Sequence, residues 1–401
     1  MTNTSLQMQV SPGKKLNFDN TEIAFRSKSK SELNSAYWLF KIMSSNFLTQ
    51  VGPPVTNLFL NIGLPIQGII KSTIFKQFCG GETIAECEHT VAQLADGKVG
   101  TILDYSVEGE EEEHVFDFTC AEIIRTIDRA AGDKRIPITV FKVTGIGRFA
   151  LLEKLDARQE LTAEEQKEFE RVKHRCERIC RTAFEKDVPV MIDAEETWIQ
   201  DTIDALALDM MMSFNQKKLI VYNTYQLYRH DKLAHLKADH LVAAKAGFII
   251  GAKIVRGAYM EKERKRAAEK GYPSPIQPDK ETTDRDYNEA ITYCVDHIEQ
   301  IGVVCGTHNE TSCRVLAELL DSRQIDHNHP HVYFAQLLGM SDNLSFNLSD
   351  AGYNVAKYVP YGPVKAVMPY LFRRAQENTS VAGQTSRELD LIAREKQRRR
   401  I

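Results

Sequence analysis

Eight short runs of β-branched and other apolar residues recur between positions 99 and 359, separated for the most part by stretches whose apolar positions return every three to four residues. The runs cover residues 99–107, 138–144, 188–194, 219–224, 249–255, 302–307, 331–337 and 354–359. Apolar side chains occupy consecutive positions in them, the composition of a strand buried on both faces. The intervening period predicts helices over 122–131, 162–185, 199–214, 233–246, 284–301, 311–320 and 364–377. Strand and helix in strict alternation imply a parallel sheet. Eight such units, in a span close to the roughly 250 residues of a closed barrel, predict an α/β fold of the (β/α)8 TIM-barrel type. The chain then divides into a helical N-terminal arm (1–95), the barrel (96–385) and a basic C-terminal tail (386–401).

An open sheet is the rival, because Gly145, Gly147 and Ala150 fit a GxGxxA turn after the second strand. A lone match of this kind is weak, and it sits in the second unit with Arg148 inside the turn. The most apolar stretch, 55–70, is interrupted by Asn57, Asn61, Pro65 and Gln67 and is shorter than the roughly 20 residues that span a bilayer. It reads as a helix packed on the protein or lying on a membrane surface.

The 401 residues are 43% hydrophobic and 26% charged, enough apolar material for a large core. A formal net charge of -4 supplies no basic field for nucleic acid, so small substrates are expected. Eight cysteines without a CxxC pair fit reduced thiols better than a disulfide framework. Neither a secretory leader nor an arginine-rich transit segment is evident at the start, and the expected location is cytoplasmic, peripheral on the inner face of a membrane.

In a closed barrel the chemistry sits at the C-terminal ends of the strands. There the first strand carries Asp104 and Glu108, the second Lys142, the third Asp193, Glu195 and Glu196, and the fourth Asn223 and Gln226. The fifth carries Lys253, Arg256, Gly257, Ala258 and Tyr259, the sixth Thr307, His308 and Asn309, the seventh Gln336 and the eighth Tyr358. Buried charges are costly unless paired, so such a rim is either an ion-pair lattice or a ligand site. Recurrence on eight strands favours the ligand site. Arg373 and Arg374, followed by Glu377, come after the apolar VMPYLF segment of the last helix. Two guanidinium forks suit a carboxylate, with Asp104 and Glu108 to hold them. The groups His327, His329, His331 and His230, His235, His240 complete no metal-ligand spacing, and no metal is expected.

Several segments resemble the proline dehydrogenase family, in its eukaryotic-type, monofunctional branch. They are GGETIAE (80–86), DAEE (193–196), NTYQ (223–226), GAKIVRGAYMEKERKRAAEKGYPSPI (251–276), HNET (308–311), FAQLLGM (334–340), KYVPYGPV (357–364) and PYLFRRAQEN (369–378). The resemblance implies a distorted (βα)8 barrel with FAD at the rim. It implies oxidation of L-proline to Δ1-pyrroline-5-carboxylate by hydride transfer from C5 to flavin N5, with electrons passed to a membrane quinone. Carried onto this sequence, Arg373 and Arg374 bind the proline carboxylate with help from Lys142, Asp104 and Glu108 pair with the arginines, and Tyr358 and Leu337 pack on the ring. FAD is carried onto Asp193, Asn223, Lys253, Val255, Arg256, Gly257, Ala258, Thr307 and His308, with Glu377 nearby; Asp193 and Lys253 stand closest to the chemistry. Lys253 and Asn223 occupy positions where the bifunctional bacterial branch carries arginine and glutamine.

On the residues alone, Lys142 and Lys253 also suit the imine chemistry of an aldolase or related lyase, which predicts a colourless protein trapped by borohydride with a carbonyl substrate. A non-enzymatic binding barrel fits the crowded rim less well. The terminal Arg398, Arg399 and Arg400 read as a lipid-binding basic end or a solvated terminus.

Overall fold

The computed structural model describes residues 16–43, 67–107, 111–380 and 384–401. Among them eight strands close into a barrel in chain order: β1 (Gly100–Tyr105), β2 (Ile138–Phe141), β3 (Val190–Ile192), β4 (Val221–Gln226), β5 (Ile250–Val255), β6 (Ile301–Gly306), β7 (Val332–Leu337) and β8 (Val355–Tyr361). Every pairing is parallel, and β8 returns to β1 in the register Ile102 to Tyr358. Closure rules out the open-sheet rival. The glycine after β2 does helix packing instead, for a Cβ on Gly147 would lie 2.6 Å from Val172.

Period-2 alternation sorts the apolar residues of each strand into two cores. Ile102, Val140, Met191, Tyr222, Val304 and Ala356 fill the barrel interior. Leu103, Phe141, Ile192, Tyr225, Ile254 and Phe334 face outward under the helices. The close approach of β4 to β5 depends on Gly251: a Cβ there would fall 2.3 Å from the carbonyl oxygen of Val221 and 2.8 Å from Tyr222 Cα.

Helices occupy the predicted stretches, from Glu113–Ala130 to Val364–Ser380. Phe149–Asp156, Met260–Lys270 and Asp342–Asp350 lie outside the predicted periods. The last of these is mostly polar yet buried, because its side chains bond to distant backbone: Asn343 to Phe18 O (3.3 Å), Asn347 to Asn20 O (3.2 Å) and Ser349 to Gly97 O (2.8 Å). The apolar stretch 55–70 lies outside the described residues as far as position 66.

The C-terminal segment is neither frayed nor a free basic arm. Gln384–Arg399 is a helix whose Leu391 and Ile392 share a further core with Leu33, Ala36 and Phe40 of the Lys30–Met43 helix and with Val367 and Leu371 of Val364–Ser380. Glu395, fully buried on it, accepts hydrogen bonds from Arg398 (2.8 Å) and Arg399 (2.6 Å), and Arg399 also donates to the carbonyls of Lys28 and Phe25 at 2.6 Å each. Arg399 therefore works inside the fold, while Arg398 stays exposed and ties the surface to buried Glu395. Among the described residues no helix is long and apolar enough to cross a membrane.

Gly251→Ala should destabilise the barrel by about 1–3 kcal/mol, because the blocking atoms are backbone and the two strands must separate. A melting temperature equal to that of the parent chain would contradict this packing.

Candidate active site at the barrel mouth

Strand parity gathers the charged residues of the strand ends into one layer above the apolar interior. Asp193, just past β3, accepts a hydrogen bond from Lys253 of β5 and lies 3.7 Å from Lys142, which in turn lies 3.9 Å from Asp104 of β1. Lys253 also donates to the Tyr358 hydroxyl at 2.6 Å, and its ammonium stands 4.7 Å from the centre of that ring. The Tyr358 hydroxyl is 3.3 Å from Asp193. Ser106 donates to Asp104 at 2.6 Å. Burial and the Asp193 carboxylate push the Tyr358 phenol well up, so it stays a neutral hydroxyl. Signs alternate across the layer, as buried charge requires.

Beside this layer the ends of β5 and β6 form a polar wall. Arg256 donates to Asp284 (2.7 Å), Thr307 (2.7 Å) and Ser312 (3.0 Å), and its guanidinium lies 4.3 Å from the Tyr287 ring centre. Burial, with Lys357, Arg374 and Arg256 around it, pushes His308 down to about 3, so the imidazole is neutral. Its Nδ1 is 2.9 Å from the Ser341 hydroxyl. Gly257, at φ +134°, and Ala258 follow Val255 at the exposed edge of this wall.

The Val364–Ser380 helix supplies the paired arginines. Arg373 stands 5.9 Å from the ring centre of Tyr259 at the end of β5, while buried Arg374 stands 5.1 Å from that of Tyr370. Leu337, at the end of β7, packs against both the barrel interior and the core formed by the terminal helices. Glu108 and the Glu377 side chain lie outside the described residues.

Asn223 requires a correction. Tyr222 points into the barrel and Thr224 pairs in register with inward Lys253, so Asn223 faces the helix layer. There its amide donates to Asp204 at 2.9 Å, beside the Lys232 ammonium that Asp204 also accepts. The inward carboxamide of β4 is Gln226, two residues beyond Thr224, a position that parity alone identifies. Its nitrogen donates to the Glu195 carbonyl at 3.1 Å, and its oxygen is buried without a hydrogen-bond partner. Glu195, within DAEE, is like Gln226 a strand-end residue to which the resemblance assigns no role. Its carboxylate accepts from the Thr144 amide at 3.1 Å and from the Thr144 hydroxyl, and burial pushes it up to about 8. Among the described residues no group of three His, Cys, Asp or Glu is placed to hold a metal, and all eight cysteines are free and buried.

A family model described as proline dehydrogenase matches residues 87–387. "Proline dehydrogenase 1, mitochondrial" of Dictyostelium discoideum is 33% identical over 433 residues, covering 96% of this chain and 75% of that protein. The Caenorhabditis elegans protein of the same name is 40% identical over 246 residues, 60% of this chain and 40% of the relative. In fold, the chain is similar to the crystal structure of proline utilization A from Bdellovibrio bacteriovorus, with a TM-score of 0.71 at 20% identity over 94% of this chain and 40% of that one. The expectation of a cytoplasmic protein is overturned, since these curated relatives carry the word mitochondrial in their names.

Glu195 gives the site a pH signature. A carboxyl near its usual value of 4.5 in the unfolded chain and near 8 in the fold binds more protons when folded. Its contribution to stability is therefore full below the unfolded value and lost as pH rises towards 8. Glu195→Gln should gain on the parent chain by up to about 1.4 kcal/mol per pH unit across that window. A stability difference independent of pH in urea unfolding would contradict the assignment.

Proposed function

The chain belongs to the proline dehydrogenase family, oxidoreductases of proline, and from that premise we propose that it holds FAD at the strand ends and oxidises L-proline to Δ1-pyrroline-5-carboxylate. The observation that carries this reading is the mouth itself, where Lys142, Asp193, Lys253 and Tyr358 form a sign-alternating layer and a neighbouring helix brings two adjacent arginines.

The residues present suit a flavin. The Gln226 oxygen is a buried acceptor still lacking a donor, as an imide N–H would provide. Gly257 keeps the backbone bare at the end of β5, since a Cβ there would lie 2.5 Å from the Tyr228 ring. Arg256 and Thr307 offer donors for anionic oxygen at the same wall. Asp193, Lys253, Val255, Arg256, Gly257, Ala258, Thr307 and His308 would hold the group, with Gln226 in the place that Asn223 was expected to fill; Glu377 belongs to the same proposal. When bound, FAD would supply the redox chemistry, as the two-electron acceptor for oxidation of the proline ring.

The chain's own part is to bind, orient and exclude water. Arg373 and Arg374 clamp the substrate carboxylate, with Lys142 assisting and Asp104 and Glu108 balancing the charge. Tyr358 and Leu337 pack on the pyrrolidine ring, which fixes C5 relative to the strand ends. Oxidation at C5 requires the substrate amine to be neutral, because its lone pair becomes the second C–N bond. Lys142 and Lys253 both meet Asp193. That engagement favours this reading over imine chemistry, which needs an amine free to attack. A quinone acceptor for the electrons would require contact with a membrane, and the relatives' names support a mitochondrial setting.

Arg374→Met should raise KM for L-proline sharply and lower kcat/KM by about two orders of magnitude, through loss of a charge-assisted fork. Unchanged steady-state kinetics would remove Arg374 from the clamp. The Tyr358 ring leaves little room at C4 of the substrate, so kcat/KM should be lower for 4-hydroxyproline than for proline. The reverse order would contradict ring packing by Tyr358.

A further inference from the structure

Residues 337–342, between β7 and the Asp342–Asp350 helix, are tied down from several separate parts of the chain. Lys357 of β8 donates to the carbonyls of Met340 (2.6 Å) and Leu337 (3.3 Å) and pairs with Asp342 at 2.9 Å. Lys28 of the N-terminal arm reaches Asp342 at 3.3 Å, and Gln77 donates to the Gly339 carbonyl at 2.9 Å. From the Gln384–Arg399 helix, buried Glu388 accepts the backbone N–H of Ser341. Ser341 itself has φ +51°, a left-handed conformation that non-glycine residues adopt only when their surroundings hold them there. The outcome of all these ties is the position of one hydroxyl, 2.9 Å from Nδ1 of His308.

We propose that Glu388 and Ser341 are positioning residues for the cofactor: the Glu388 carboxylate fixes the Ser341 backbone, and the Ser341 hydroxyl orients His308 at the flavin wall. The proposal rests on the reading that His308 contacts FAD. It gives the C-terminal helix a task at the active site, although that helix contributes no strand end. The task is to hold an imidazole in one orientation so that its other nitrogen faces the ligand.

The groups facing Glu388 are Asp342 on the following helix, Lys357 on β8 and Lys28 on the arm; its neighbour Arg387 is occupied with Asp19 (3.1 Å) and Glu310 (3.2 Å). Burial, then Asp342, push Glu388 up to about 7, while His308 stays neutral because it is pushed down to about 3. A charged carboxylate is the stronger acceptor for the Ser341 N–H. The grip is therefore firm above about pH 7 and relaxes as pH falls through that value.

The test is the rate of FAD release from the full-length holoprotein, followed by flavin fluorescence between about pH 6 and pH 8. In the parent chain release should quicken as pH falls. Glu388→Gln and Ser341→Ala should both release FAD faster at pH 8, on the order of tenfold, and both should lose the pH dependence. Ser341→Ala removes one hydroxyl and keeps every tie to the backbone, so it remains informative if Glu388→Gln folds poorly. Release at the parent rate in both variants, with His308→Ala releasing faster, would overturn the positioning role while keeping His308 at the cofactor. Release at the parent rate in all three, His308→Ala included, would overturn the placement of His308 and the proposal with it.

Discussion

Asp193 shares its carboxylate between Lys253, which it meets directly, and Lys142 at 3.7 Å, on a layer whose underside is packed with Ile102, Val140, Met191 and Val304. Removing one member of such a network leaves an uncompensated charge beside apolar side chains, at a cost of about 3–5 kcal/mol. The network therefore constrains what surrounds it. The strands must present these residues at one level, which a closed parallel barrel does through register, and solvent must be limited above them for the charges to act strongly on a ligand. The second requirement gives physical sense to the further core, in which Leu33, Phe40, Leu371 and Leu391 bring the N-terminal arm, the arginine-bearing helix and the C-terminal helix together.

Much of this architecture is legible in the sequence because a strand buried on both faces writes a continuous apolar run. Each predicted run overlaps an observed strand for that reason. The errors fall where a second rule overrides the first. Asn223 and Gln226 are both polar and both near the end of β4, but they are three residues apart and cannot share a face. Parity selects Gln226, and the Thr224 to Lys253 register settles it. The Asp342–Asp350 helix escapes a search for apolar periodicity because its burial is satisfied by hydrogen bonds to Phe18, Asn20 and Gly97, far away in the chain. The terminal arginines read as a solvated or lipid-seeking end because the residue that neutralises two of them, Glu395, looks in sequence like one more charge in a charged helix. It is buried only after Leu391 and Ile392 dock.

Both ends of the chain thus reach the loop after β7 without supplying a strand to the barrel. Lys28 near one end and Glu388 near the other converge on the loop after β7, and Leu337 at the start of that loop touches the barrel interior. Substitutions in the terminal helices are accordingly expected to act on the mouth through this loop.

The measurement that bears most directly on the central claim is the visible spectrum of the purified protein, recorded before and after anaerobic addition of L-proline. The account predicts flavin bands that bleach when proline is added, as one electron pair passes from the substrate to the bound flavin. Flavin bands that stay oxidised, or a colourless protein that cannot be reconstituted with FAD, would contradict it.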